Sequence, residues 1–115
     1  MTKAVVVEEE ASDELREGAA WYEQDRAGVG LELLNAVDAV FDTLATSTAA
    51  AVLVPGFPIE SRVGRVLLER FPYAVVFIET ENAVHIIAVA HFRRKPNYWR
   101  DRVRGASGST PRSDR

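Results

Sequence analysis

The chain of 115 residues contains no cysteine, so it can form neither a disulfide framework nor a thiolate zinc site. This excludes disulfide-rich secreted domains and zinc fingers. No apolar run approaches the ~20 residues that a membrane-spanning helix needs. The N-terminus reaches the acidic residue Glu8 after only four apolar residues, which does not fit a signal peptide. We therefore expect a cytoplasmic protein with no membrane partner.

The composition indicates one folded domain. Hydrophobic residues make up 47% of the chain and charged residues 27%, which is ordinary for a globular protein and sufficient for a packed core. We place this domain at residues 1–104. Residues 105–115 are rich in Gly, Ser and Arg, and we predict that they form a disordered tail.

The charge is divided unevenly along the chain. The formal net charge is −3, but residues 1–61 carry −9 and residues 62–115 carry +6. Such asymmetry indicates an anionic partner for the basic half, or two halves that neutralise each other within one domain. The acids of residues 8–17 fall where a strand ends and a helix starts, so we expect them to form a solvated face.

The hydrophobic pattern predicts an α+β domain with the order β-α-α-β-β-β. Apolar residues recur three or four apart in two segments separated by Gly28 and Gly30, which is typical of a helical hairpin. Three later β-rich runs predict an antiparallel sheet packed against that hairpin. Since the last two runs are apolar on both faces, something should cover the second face as well. We expect strands at 3–7, 62–70, 73–80 and 83–92, helices at 13–26 and 31–44, a loop at 45–61 and a short helix after Pro96.

The two histidines do not predict a metal site. His85 and His91 are six residues apart in the last predicted strand. If that strand is unbroken, both lie on one face about 20 Å apart, which is too far to share a metal ion. Phosphate-binding, dinucleotide-binding and nucleophile-elbow motifs are also missing from the sequence. We expect no cofactor and no metal.

Basic residues at the strand ends offer one route to catalysis. In a meander, cations at the ends of the first and third strands converge on one rim of the sheet. RNA cleavage by transesterification needs a proton acceptor, a proton donor and cations that stabilise the phosphorane charge. The candidate catalytic residues are Arg65, His91, Arg93 and Tyr98. The alternative is that these cations are solvated and only protect the sheet edge.

Several short motifs together resemble one known family. They are Trp21-Tyr22-Glu23, Gly28-Val29-Gly30, Arg70-Phe71-Pro72-Tyr73, and His91, Arg93, Pro96, Tyr98-Trp99 and Arg102. In this combination the chain resembles the plasmid-stabilisation type of the RelE/ParE toxin family of bacterial type II toxin–antitoxin systems. The resemblance extends from about residue 3 to residue 103. Neither the Arg-Phe-Pro-Tyr motif nor the His-to-Trp motif would suffice alone.

The resemblance implies a compact toxin that inhibits growth and is held inactive by a cognate antitoxin protein. RelE-like members cut mRNA on the ribosome, whereas ParE-like members inhibit DNA gyrase and are not nucleases. The chain has the ParE-type ending, a pI of about 5.4 and no lysines in residues 66–69 or 74–78, all of which favour the ParE-like function. The alternatives are a ribosome-dependent endoribonuclease and a degenerate, non-toxic member that still binds an antitoxin.

Contacts with the antitoxin can be placed only by general rules. Sheet edges accept an added strand, and apolar helix faces accept a partner helix. Large aromatic residues dominate binding hot spots, so the candidate partner-binding residues are Trp21, Tyr22, Phe57 and Trp99. Each of them also fits a packed core. Without its partner such a surface would favour a homo-oligomer, and the sequence leaves the oligomeric state open.

Overall fold

The computed structural model describes residues 2–107, with side chains described over residues 2–105. Most of the predicted tail, residues 108–115, lies outside the described residues. The helices are α1 Glu9–Asp25, α2 Val29–Thr46 and α3 Arg100–Ser107, and a 3₁₀ turn spans Ile59–Ser61. The strands are β1 Ala4–Val7, β2 Val52–Leu53, β3 Val63–Leu67, β4 Tyr73–Glu79 and β5 Ala83–His91. No helix in this part of the chain is long and apolar enough to cross a membrane.

The five strands form one mixed sheet in the order β1-β5-β4-β3-β2. Strands β3, β4 and β5 form the predicted antiparallel meander. The first strand, β1, lies beside β5 and runs parallel to it. The short strand β2 falls in the predicted loop 45–61 and pairs with Gly64 and Arg65 of β3. The α+β class is confirmed, with the order β-α-α-β-β-β-β before the C-terminal helix.

Both faces of the sheet are covered, as the apolar pattern of the last strands predicts. Helices α1 and α2 cover one face, which we call the hairpin face. Its buried residues include Leu33, Val37, Tyr73, Val75, Phe77, Ile86 and Val89. Helix α3 and the loop after β2 cover the other face, which we call the α3 face. Its buried residues include Val54, Val63, Val76, Ile78, Ile87, Ala88, Trp99 and Val103.

A β-bulge in β5 separates the two histidines. Val76 pairs with Ala88 but the next residue, Phe77, pairs with Ile86, so Ile87 is the extra residue. The bulge reverses the alternation of side chains along the strand. His85 lies opposite Ile78, which packs on the α3 face, and His91 lies opposite Tyr73, which packs on the hairpin face. The two histidines therefore point to opposite faces, because the bulge interrupts the strand between them.

Glycine and one carboxylate fix the turn between α1 and α2. Gly28 has a φ of +92°, which favours glycine. Glu23 of α1 accepts hydrogen bonds from the backbone N–H groups of Gly28 (2.9 Å) and Gly30 (3.0 Å), and so caps the start of α2. A Cβ at Gly30 would lie 2.4 Å from the carbonyl oxygen of Ala19. Glu23 of the Trp-Tyr-Glu motif and the two glycines of the Gly-Val-Gly motif thus form one tight helix–helix contact.

Candidate functional site

Glu14 on α1 is the centre of a largely buried polar cluster. Its side chain is only 11% exposed, and each carboxylate oxygen accepts two hydrogen bonds. The Tyr98 hydroxyl donates to Oε2 at 2.6 Å, and the Arg102 guanidinium donates to both oxygens, at 3.1 and 3.0 Å. The Arg94 guanidinium stacks 3.8 Å from the centre of the Tyr98 ring. We call these four residues the Glu14 cluster.

The cluster closes an edge that the strands leave open. Strand β1 pairs with β5 only as far as Ile86, so within residues 2–107 the rest of β5 has no neighbouring strand on that side. There the N–H of Val89 donates to Glu14 at 3.0 Å, and the carbonyl of Ile87 accepts from Arg102 at 3.0 Å. Backbone groups away from water must be paired. Two side chains therefore take the place of a strand and join α1, β5 and α3.

The surroundings of the cluster keep both Tyr98 and Arg102 protonated. Burial raises the pKa of the Tyr98 hydroxyl well above its ordinary value, and the hydrogen bond to Glu14 raises it further. Burial is the largest single influence on Arg102 and would lower its pKa, but the hydrogen bonds to Glu14 and the negative charges nearby, chiefly that of Glu14, together outweigh it, so that pKa is raised. Tyr98 therefore stays protonated as a donor to Glu14 at neutral pH.

A cleft of about 780 Å³, which we call the α1 groove, runs between α1 and the ends of β4 and β5. Trp21 lies on its rim with 64% of its surface exposed. His91 packs edge-on against the Tyr73 ring at 5.0 Å, and its Nδ1 accepts the backbone N–H of Arg93 at 3.0 Å. Residues of both charge signs line the groove: Glu14, Glu17, Asp25, Arg93 and Arg94.

A second cavity of about 220 Å³ lies on the α3 face, where β3 and β5 end. We call it the basic basin. It is lined by Arg65, Leu67, Ala74, Val76, Ala90, His91, Phe92, Arg94, Lys95, Pro96, Asn97, Tyr98 and Trp99. None of these residues is an Asp or a Glu. The basin is therefore positively charged, although the chain as a whole is acidic.

The four candidate catalytic residues are only partly brought together. His91 and Arg93 both line the α1 groove. Arg65 lies opposite Val76, so its side chain leaves the sheet on the α3 face and borders the basic basin. His91 points to the hairpin face but, at the end of β5, borders both cavities. The Tyr98 hydroxyl is bound to Glu14.

The four candidate partner-binding residues have different surroundings. The Trp21 ring is largely exposed and meets Tyr22 edge-on at 5.1 Å. Tyr22 is half-buried and packs edge-on against Phe71 at 5.3 Å. Trp99 is only 3% exposed and stacks on Phe57 at 5.7 Å. Trp21 thus presents an exposed surface, whereas the Phe57–Trp99 pair holds α3 against the sheet.

Two further arginines beside β3, Arg62 and Arg70, have carboxylate partners. Arg62 pairs with Glu79 at 3.0 Å, and Glu79 also binds Lys3 at 2.8 Å. The hydrogen bond from Lys3 is the main cause that lowers the pKa of Glu79; burial opposes it. Arg70 pairs with Glu32 at 3.0 Å on the surface. Arg62 and Arg70 therefore tie elements of the domain to one another.

Glu14 is the site residue that the sequence analysis did not identify. It lies among the acids of residues 8–17, which we expected to be solvated. Its partners Tyr98 and Arg102 are 84 and 88 residues away in the chain. No local spacing connects residues so distant. The one available signal was that Tyr98 and Arg102 occur together in the C-terminal motif.

Comparison with known proteins identifies the fold. No family model and no curated protein matches the chain. Among solved structures, it is similar to a chain of the chromosomal ParDE TA system from P. aeruginosa, with a TM-score of 0.66 and 15% identity. The match covers 78% of this chain and 96% of that one. The protein therefore has a ParE/RelE-like toxin fold, as the resemblance of its motifs predicts.

Proposed function

We propose that the protein is the toxin component of a bacterial type II toxin–antitoxin system, acts in the cytoplasm and is neutralised by a cognate antitoxin. The likeness to the ParDE chain supports this proposal most strongly, because it covers 96% of that chain. The matched region, 78% of this chain, thus accounts for nearly all of the neighbour's length. The C-terminal motif supports it independently.

We further propose that the toxin acts by binding a protein target, with DNA gyrase as that target. Three observations favour binding over RNA cleavage. The Arg65 and His91 side chains leave the sheet on opposite faces. The Tyr98 hydroxyl is bound to Glu14, and its raised pKa opposes proton transfer near neutral pH. Finally, the Arg94 guanidinium covers the Tyr98 ring, on which a nucleobase of RNA could otherwise stack.

Induction of the protein in a bacterial host tests the proposed function. We expect growth arrest when the protein is expressed alone, and normal growth when the product of the adjacent reading frame is co-expressed. Unimpaired growth without that partner would contradict the toxin proposal and support the degenerate member.

Two assays then separate the targets. Purified protein at micromolar concentration should inhibit DNA supercoiling by gyrase. Primer extension on translated mRNA should show no new cleavage sites after induction. Cleavage that His91→Ala and Tyr98→Phe abolish would instead establish the endoribonuclease and overturn the binding proposal.

A further inference from the structure

The α1 groove has one wall whose side chains contribute little to the fold. Glu17, Trp21 and Asp25 are spaced four residues apart on α1, so they lie along one face of the helix, and all three line the groove. We call these three residues the α1 stripe. All three are exposed, so the stripe is accessible to a ligand in the groove.

The two acids of the stripe have no partner within the described part of the chain. No ion pair or side-chain hydrogen bond there involves Glu17 or Asp25. Glu14, the third acid that lines the groove, is instead held by Tyr98 and Arg102. The stripe therefore presents two carboxylates that can pair with a cation from outside the chain.

The aromatic side chains of the groove suit a positively charged ligand. Trp21 is 64% exposed, and Tyr22 meets its ring edge-on at 5.1 Å. Tyr73 lies directly beneath the stripe, since a Cβ at Gly18 would be only 2.5 Å from the Tyr73 hydroxyl oxygen. Ammonium groups bind on the faces of aromatic rings, and tryptophan is the best of these. An acid one helical turn away on each side of Trp21 adds to that attraction.

The opposite wall of the groove carries two arginines. Arg94 stacks on the Tyr98 ring and lies 3.9 Å from Glu14. Arg93 is exposed and has no ion pair among the described residues. Three acids against two arginines still leave the lining of the groove negative. Repulsion from Arg93 keeps a bound cation on the α1 side.

The spacing of the two carboxylates selects the kind of cation. At a rise of about 1.5 Å per residue, Glu17 and Asp25 are separated by about 12 Å along the helix. One metal ion cannot bridge them, because carboxylate oxygens bind Ca²⁺ within about 2.6 Å. The bonds between the terminal nitrogens of spermidine, each about 1.5 Å long, extend to about 11 Å in all. A linear polyamine therefore matches the stripe in both length and charge.

We propose that the α1 groove is a binding site for a linear polyamine such as spermidine. The terminal ammonium groups pair with Glu17 and Asp25, and the central ammonium group lies on the Trp21 ring. The groove volume of about 780 Å³ is that of a small-molecule site. This inference goes beyond the proposed function and does not depend on it.

Isothermal titration calorimetry of the full chain with spermidine tests this inference. We expect binding that Glu17→Gln with Asp25→Asn weakens about fivefold or more, and that Trp21→Ala alone weakens about twofold or more. Putrescine, whose two ammonium groups are too close together to reach both carboxylates, should bind about fivefold more weakly than spermidine. Spermidine should also change the fluorescence of the exposed Trp21, and Trp21→Ala should abolish that change.

Asp38→Asn with Asp42→Asn is the matched control. This variant removes two exposed carboxylates from α2, neither of which lines the α1 groove, and it should bind spermidine as the parent does. Equal losses in the two double variants would overturn the inference, because binding would then reflect only the acidic charge of the chain.

Three other results would also overturn the inference. They are no spermidine binding at millimolar concentration, equal affinities for spermidine and putrescine, and full affinity of the Glu17→Gln/Asp25→Asn protein. Tighter binding of a tetralysine peptide, lost in that same variant, would overturn it in favour of a protein ligand. None of these measurements involves toxicity, so a failure of the proposed function leaves their outcome unchanged.

Discussion

Replacement of Glu14 by alanine should be one of the most destabilising single changes in the domain. The substitution leaves the partly buried Arg102 without its carboxylate, and removes the acceptor of both the Tyr98 hydroxyl and the Val89 N–H. Removing one partner of a buried ion pair costs about 3–5 kcal/mol. Because Arg102 retains some contact with water, we expect the lower end, about 3 kcal/mol. That is a large fraction of the roughly 5–15 kcal/mol that stabilises a typical domain.

Urea unfolding followed by tryptophan fluorescence measures this loss directly. Trp99 is buried beside α3 and should report its release, whereas Trp21 is already exposed in the folded protein. Glu32→Ala is the matched control, because it removes a carboxylate from a similar ion pair, with Arg70, on the surface. We expect that control to lose less than about 1 kcal/mol.

A double-mutant cycle tests whether the effect belongs to the cluster. Glu14→Ala and Arg102→Ala should be strongly non-additive, with a coupling energy of about 1–3 kcal/mol. Tyr98→Phe removes one donor and should cost about 1 kcal/mol. A Glu14→Ala protein as stable as the Glu32→Ala control, or additive effects of Glu14→Ala and Arg102→Ala, would refute the structural role of the cluster.

Three further predictions concern other sites. Gly30→Ala places a methyl group against the Ala19 carbonyl and should destabilise the protein by about 1–3 kcal/mol, measured by thermal unfolding; an unchanged Tm would contradict the close contact. Lys3 lowers the pKa of Glu79 below its ordinary value of 4.5, so the ionised Glu79 contributes fully to folding stability above pH 4.5, and this contribution is lost as the pH falls. Glu79→Gln should therefore flatten the acid side of the curve of stability against pH. An unaltered curve would contradict the stabilising role of the Lys3–Glu79 pair. Trp21→Ala should change the unfolding free energy by less than about 0.5 kcal/mol, because the ring is exposed; a larger loss by urea unfolding would show that Trp21 is part of the core.

The elements with strong patterns could be predicted from the sequence. Strands β4 and β5 are continuous apolar runs separated by turn residues, and α2 has apolar residues three or four apart. Helix α1 begins at Glu9, four residues before its predicted start at 13, because Glu9 and Glu10 are favourable in the first turn. Strand β2 has two residues, which is too short to show any alternation.

The geometry of the sites could not be predicted in the same way. The bulge at Ile87 has no signal in the uninterrupted apolar run of residues 86–90, yet it decides which face His91 points to. The role of Glu14 depends on residues 84 and 88 positions away. Local patterns therefore predict the elements, whereas the sites depend on the sheet register.

The Glu14 cluster has a consequence for how the chain is made. Glu14 is synthesised early, but its partners Tyr98 and Arg102 come almost at the end of the described chain. At about 5–20 residues per second, roughly 4–17 s of translation separate the carboxylate from the tyrosine. Until then the open edge of β5 lacks the cover of Tyr98 and Arg102, and α3 is missing from the α3 face. A polypeptide cut short before residue 98 can never complete this closure, so only nearly full-length chains acquire the final shape.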